Sequence, residues 1–326
     1  MRQVRHVLGE LYDLTARWSV PALAPLFARV ARTGTGSDAC LRHGFLPLPI
    51  HYYSPVPDIE DLEERRVWEN QSEMVGIDFR AEAQLELLAG MAHEYGDECD
   101  WPPQPTGDPL EFYSENNSFS FGCAASTHLI LRHFKPRSVI EIGSGHSSLV
   151  LSAALEMNSS EADGHRSEYV IVDPYPGPLV EAGLPSLASL VRQRVEVVDL
   201  SLFRALAEND VLFIDSGHTV RTGGDVNFIF LEVLPRLQPG VVVHVHDIPL
   251  PKEYPKVYFT NPRFRMFWTE AYLLQTFLCF NNAFEVLLSM SYLMDNHLDT
   301  FRAVFRHFDP NVHRSRSSSF WMRRKP

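Results

Sequence analysis

Beyond residue 118 the chain alternates short apolar runs with longer segments of mixed polarity. The runs are Ser138-Val139-Ile140-Glu141-Ile142, Tyr169-Val170-Ile171-Val172-Asp173, Val195-Glu196-Val197-Val198-Asp199, Val211-Leu212-Phe213-Ile214-Asp215 and Val241-Val242-Val243-His244-Val245-His246-Asp247. They are β-branched and nearly continuous in apolar character, as parallel strands covered on both faces are. Helical segments, among them Ala124 to His133 and Ser147 to Glu156, lie between them. Phe284 to Leu288 and Ser319 to Met322 supply two further strands at the C-terminal edge. The pattern predicts a doubly wound α/β fold around a mostly parallel seven-stranded sheet.

Upstream the pattern changes. Residues 1 to about 35 read as an amphipathic helix, with Leu8, Leu11, Leu14 and Trp18 on one face, broken or restarted at Pro21 and Pro25. Its arginines suit an acidic membrane surface. A docking helix or an oligomer contact, hence a homo-oligomer, is the plainer reading. Residues 36–60 are rich in Gly and Pro and form a loop, a candidate lid. Residues 61–95 are helical again, and 101–117 are irregular. The predicted division is an N-terminal helical and loop extension over 1–117 and a core domain over 118–326. Ser315 to Ser319 is the one low-complexity tract.

Charge narrows the function. With 29 basic and 41 acidic residues the chain carries a net charge of −12, which argues against nucleic acid as a partner. Cys40, Cys99, Cys123 and Cys279 form no C-x-x-C pair, so the reading is reduced thiols in a cytoplasmic protein rather than a disulfide or zinc framework. No apolar run reaches the length of a membrane span. Glu10, Asp13 and Arg17 interrupt the N-terminus, so it does not read as a signal peptide.

In open α/β sheets ligands bind at the carboxyl ends of the strands. Gly143 and Gly145 follow the first strand, where a side chain would keep a ligand from the backbone. Asp173 ends the second strand, positioned to accept from both hydroxyls of a ribose, and Asp199 ends the third, beside a candidate adenine pocket. A dinucleotide fingerprint wants a third glycine, and position 148 is Ser148. Glu141, just inside the turn, would repel a pyrophosphate and attract an ammonium group. A nucleoside with a cationic amino-acid tail and no phosphate fits better, and S-adenosylmethionine is such a ligand.

The series Glu141-x-Gly143-x-Gly145, Asp173 and Asp215 resembles the motifs of class I S-adenosylmethionine-dependent methyltransferases, which are Rossmann-like. Other segments are similar to a bacterial family of uncharacterised class I methyltransferases. They include Phe213-Ile214-Asp215-Ser216-Gly217-His218, Leu234-Pro235-Arg236-Leu237-Gln238-Pro239-Gly240, His244-Val245-His246-Asp247-Ile248, Glu253-Tyr254-Pro255, Trp268-Thr269-Glu270-Ala271-Tyr272 and Ser319-Phe320-Trp321-Met322-Arg323-Arg324. The resemblance runs over residues 43–324 and implies methyl transfer, without naming an acceptor.

Methyl transfer from a sulfonium is an in-line displacement, so the protein positions the acceptor and removes its proton. In the metal-dependent O-methyltransferases of catechols and sugars, to which the chain is similar, the strand-four aspartate binds the metal and a base lies three residues on. The similarity implies Asp215 and His218 in those roles. Asp215 with Asp247 offers oxygen ligands for a divalent ion such as Mg²⁺. Those enzymes carry a carboxylate where His246 stands, which admits a softer ion or none. His244 reads as a core histidine. The cofactor residues expected are Glu141, Gly143, Ser144, Gly145, Asp173, Asp199 and Asp215. The catalytic ones are His218, Asp215, His246 and Asp247. The expected reaction is O-methylation of a hydroxyl on a small molecule or sugar-containing metabolite. An N- or carboxyl-methyltransferase and a non-catalytic Rossmann-like binding protein are the alternatives.

Overall fold

The structure is a computed structural model that describes residues 2–161, 165–309, 311–313 and 316–325, with the backbone alone over 2–13. The chain divides into two compact units, Met1–Val67 and Trp68–Pro326.

The first unit holds three helices, α1 (Arg2–Thr33), α2 (Ser37–Arg42) and α3 (Ile59–Glu64). Helix α1 runs unbroken through Pro21 and Pro25, contrary to the expected break. Each proline removes one amide from the helical ladder, freeing the carbonyls of Arg17 and Pro21. Both of those residues are exposed, so water can take the place of the lost donor. Leu14 and Trp18 are exposed. The side chains of Leu8 and Leu11 lie outside the described residues, as does Ser315 of the serine tract.

The second unit is built on strands β1 (Ser138–Ile142), β2 (Glu168–Val172), β3 (Leu187–Val191), β4 (Val211–Ile214), β5 (Val242–Val245), β6 (Phe284–Ser289) and β7 (Phe320–Arg324). They form one sheet in the order β3-β2-β1-β4-β5-β7-β6. The first five run parallel, and β7 inserts antiparallel between β5 and β6. Every residue of β4 and β5 is buried, as the continuous apolar runs require. Chain direction along the sheet reverses at β1, which pairs with β2 on one side and β4 on the other, so the switch point lies at the β1 and β4 ends.

Helices α4 (Ala81–Tyr95), α5 (Phe121–Phe134) and α6 (His146–Glu161) belong to this second unit. The Gln84 side chain ties α4 to the sheet, donating to the Phe79 carbonyl and accepting from the Ser289 amide at 2.7 Å. The compact units therefore part at 67/68, fifty residues before the division expected at 117/118. Among the described residues no helix is long and apolar enough to cross a membrane.

One strand differs from expectation. Val195–Val197 is a single 3₁₀ turn, and the third strand is Leu187–Val191. An edge strand is covered less than a central one, and β3 is only partly buried, so it carries no dense apolar run.

Candidate active site

Two cavities open at the carboxyl ends of the parallel strands, one on each side of the residues that end β4 and β5. The first holds about 500 Å³ and is lined by Gly143, Ser144, Asp173, Tyr175, Glu196 and Asp215 among others. Gly143 has φ 85°, and a Cβ built on it would stand 1.9 Å from the Asp215 carbonyl oxygen. The glycine is therefore dictated by the approach of the β4 end as well as by any ligand. A Cβ on Gly145 would meet open space. Ser144 Oγ donates to Asp173 Oδ2 at 2.5 Å and the Tyr175 amide donates to Oδ1 at 2.8 Å. The Asp173 carboxylate is held in one orientation at the mouth of the turn.

Two predicted cofactor residues stand elsewhere. Glu141 is fully buried, accepting from Ser147 Oγ at 2.7 Å, from Ser148 Oγ at 2.8 Å and from the Tyr169 hydroxyl. Burial outweighs those three donors and pushes its carboxyl up to about 7. It pins the first turn of α6 beneath the cavity and does not offer an oxygen to an ammonium group. Asp199 is exposed and accepts the Ser201 amide at 2.8 Å, at the entry to the short helix Ser201–Arg204. It followed from the misplaced third strand. Glu196 lines the cavity in its stead.

Between the cavities the ends of β4 and β5 bring Asp215, His218, His246 and Asp247 together, and helix Glu270–Leu278 adds Glu270. His218 Nδ1 bonds Glu270 Oε2 at 2.8 Å, and its Nε2 lies 3.3 Å from Asp215 Oδ1 and 3.7 Å from Asp247 Oδ2. Burial disfavours the charge on His218, but the bonds to Asp215 and Glu270 prevail and raise its pKa well above the ordinary value. His218, expected as the base, has carboxylates at both ring nitrogens, an arrangement that favours its protonated form. Asp215 feels burial in the opposite sense, and the neighbouring His246 and His218 hold it well below the usual carboxylate range. Two backbones are strained here: His218 has φ 54° and Asp247 φ 56°, left-handed conformations that side chains with a Cβ avoid.

Asp247 Oδ1 accepts from Ser318 Oγ at 3.0 Å. His246 Nδ1 accepts the Asp247 amide at 2.9 Å, while its Nε2 is buried with no hydrogen-bond partner. Asp215, His246 and Asp247 each offer a ligand atom, all within 4.8 Å of one another. An orphaned imidazole nitrogen beside two carboxylates fits a divalent ion. The mixed donor set favours Mn²⁺, Fe²⁺ or Zn²⁺ over Mg²⁺. His244 is a core histidine, as expected: it stacks on Phe213 at 3.8 Å, bonds Ser319 Oγ at 2.9 Å and is held neutral by burial.

The second cavity holds about 550 Å³, and Trp68, Asn116, His246, Asp247, Lys252 and Arg316 are among the residues in its wall. None of its lining residues lines the first cavity. Lys252 and Arg316 carried no motif in the sequence, whereas Glu270 stood within the Trp268–Tyr272 segment of the resemblance, with no sign there that it would pair with His218.

Residues 140–248 match a family described as Methyltransferase domain. An uncharacterised protein of Archaeoglobus fulgidus is 34% identical over 169 residues, covering 49% of this chain and 74% of that protein. The chain carries a methyltransferase domain over residues 140–248. Two solved methyltransferases bound to S-adenosylhomocysteine are also similar. One, from Podospora anserina, has 16% identity and a TM-score of 0.38, over 86% of this chain and all of that one. The other, an O-methyltransferase from Bacillus cereus, has 12% identity and a TM-score of 0.37, over 73% of this chain and 90% of that one. Likenesses that distant bring neither substrate nor mechanism to this methyltransferase. In the methyltransferase sheet, the matched residues run from β1 to just beyond Asp247 and so include the first-cavity turn and both acidic strand ends.

Proposed function

We propose that this methyltransferase moves the methyl group of S-adenosylmethionine to a hydroxyl of a small molecule. The observation that carries the reading is the Asp215–His246–Asp247 cluster standing between two cavities that share no wall residue. The first cavity takes the cofactor, with Asp173 as acceptor for the ribose hydroxyls. The second takes the acceptor molecule, its hydroxyl directed to Asp247. A divalent ion held by Asp215, His246 and Asp247 would supply Lewis-acid polarisation that lowers the hydroxyl pKa. His218 need not then be the base. Its two N–H groups bridge Glu270 and Asp215 and fix the carboxylates in position.

The test is S-adenosylhomocysteine release from S-adenosylmethionine over a panel of hydroxylated small molecules, with Mn²⁺, Mg²⁺ or EDTA, for the wild type and Asp247→Asn. The expected result is turnover that EDTA abolishes and that falls roughly 100-fold in Asp247→Asn, with cofactor affinity retained. Turnover indifferent to both changes would overturn the reading.

A further inference from the structure

The second cavity has an electrostatic character at odds with the rest of the chain. The protein carries a net charge of −12 and has only four lysines, Lys135, Lys252, Lys256 and Lys325. Two of the four, Lys252 and Lys256, line this cavity, together with Arg316. Lys252 Nζ lies 2.9 Å from Asp295 Oδ2, and Arg316 contacts the other oxygen of the same carboxylate. Among the described residues Asp295 is the only ion-pair partner given to either cation. Two positive charges thus share one negative charge. Burial and the adjacent Arg316 hold Lys252 below the ordinary lysine value, as expected of a cation short of anionic partners. Lys256 stands above the Trp68 ring, 5.6 Å from its centroid. Glu253 is the one acidic wall residue near them, and the Tyr272 hydroxyl donates to it.

The opposite end of the cavity has the reverse sign. Asp247 is in the wall there, and Ser318 bonds it from a position two residues along the chain from Arg316. Two residues span at most ~7 Å of backbone, so the cationic and acidic ends lie within the reach of one small molecule. Trp68, Phe119 and Tyr258 give the wall between them aromatic surface.

Building on the proposed hydroxyl methylation, we infer that the acceptor is a hydroxylated small molecule carrying an anionic group, carboxylate or phosphate, which Lys252 and Arg316 bind while its hydroxyl meets Asp247. Arg316 supplies a planar fork suited to either oxyanion, and Lys252 supplies a point charge. The same arrangement orients the acceptor. An anionic group is drawn to the cationic end, which leaves the hydroxyl to face Asp247.

The experiment titrates the full-length protein, with and without S-adenosylhomocysteine, with three probes of like shape. These are para-hydroxybenzoate, para-hydroxyphenyl phosphate and the neutral para-hydroxybenzamide. The expected result is that at least one anion binds roughly tenfold or more tightly than the amide, the tighter of the two identifying the oxyanion. Arg316→Gln and Lys252→Met each lower anion affinity about tenfold and leave amide affinity unchanged. Equal affinities for anion and amide in the wild type, or no anion binding at millimolar concentration, overturn the inference whether or not the variants fold. Absence of S-adenosylhomocysteine binding would count against the proposed function alone, because the anion ranking is also read without it.

Discussion

Glu141 makes stability depend on pH in a direction opposite to most carboxylates. Buried beneath the cofactor turn, it has its pKa raised from 4.5 to about 7 despite three hydroxyl donors. The folded state therefore binds a proton that the unfolded state has already released between those two values. Stability is full below about pH 4.5 and declines as pH rises, by about 1.4 kcal/mol per unit, until the folded group also ionises near 7. Over that window the loss amounts to about 3 kcal/mol. Glu141→Gln keeps the shape and one acceptor oxygen but cannot titrate. The assay is urea unfolding of wild type and variant at several pH values from 4.5 to 8. Every other titrating group contributes to both proteins, so the difference between the two stabilities isolates Glu141. Relative to the variant, the wild type should lose about 3 kcal/mol across the window and change little above it. A difference that stays flat, or that grows in favour of the wild type as pH rises, would refute the reasoning.

Three further outcomes are expected. Gly143→Ala meets a left-handed backbone and a carbonyl oxygen at 1.9 Å, and should cost about 3 kcal/mol in urea unfolding. Asp173→Ala should weaken S-adenosylmethionine binding roughly 10- to 100-fold in a calorimetric titration, whereas Asp199→Ala should leave binding unchanged and cost only ~1 kcal/mol of stability through the lost hydrogen bond to the Ser201 amide. Glu270→Ala strips the buried His218 ring of one of its two carboxylate partners and should destabilise by about 3 kcal/mol in the same unfolding assay, with Glu270→Gln losing less because it keeps an acceptor oxygen.

Central strands were readable because burial on both faces leaves few choices of residue, so β1, β2, β4 and β5 stand out as β-branched runs. The edge strand β3 was not. Its half-exposed sequence is unremarkable, and the apolar Val195-Glu196-Val197-Val198 nearby imitates a strand while forming a 3₁₀ turn. That displacement carried Asp199 into the predicted cofactor site and hid Glu196. Helix α1 shows the complementary failure, since proline propensity is a local cost that an exposed helix can meet with water. At the site, the strand-end residues Asp173, Asp215, His246 and Asp247 were legible because topology alone places strand ends together. Lys252, Asp295 and Arg316 were not, and neither was the pairing of Glu270 with His218, since only the folded chain brings positions 215 to 316 to one place. The charge state of His218 was likewise invisible, because it depends on Glu270, fifty-two residues away.

The left-handed backbones at His218 and Asp247 also bear on any attempt to make this enzyme hardier. Glycine at Asp247 would relax roughly 1–2 kcal/mol of conformational strain, the kind of gain a thermostability screen selects. Such a screen, scoring survival on heating alone, would favour discarding the carboxylate that the strained backbone holds in place. Selection for heat resistance in this protein would therefore have to retain a turnover assay at every round, or it would drift toward a durable but inert scaffold.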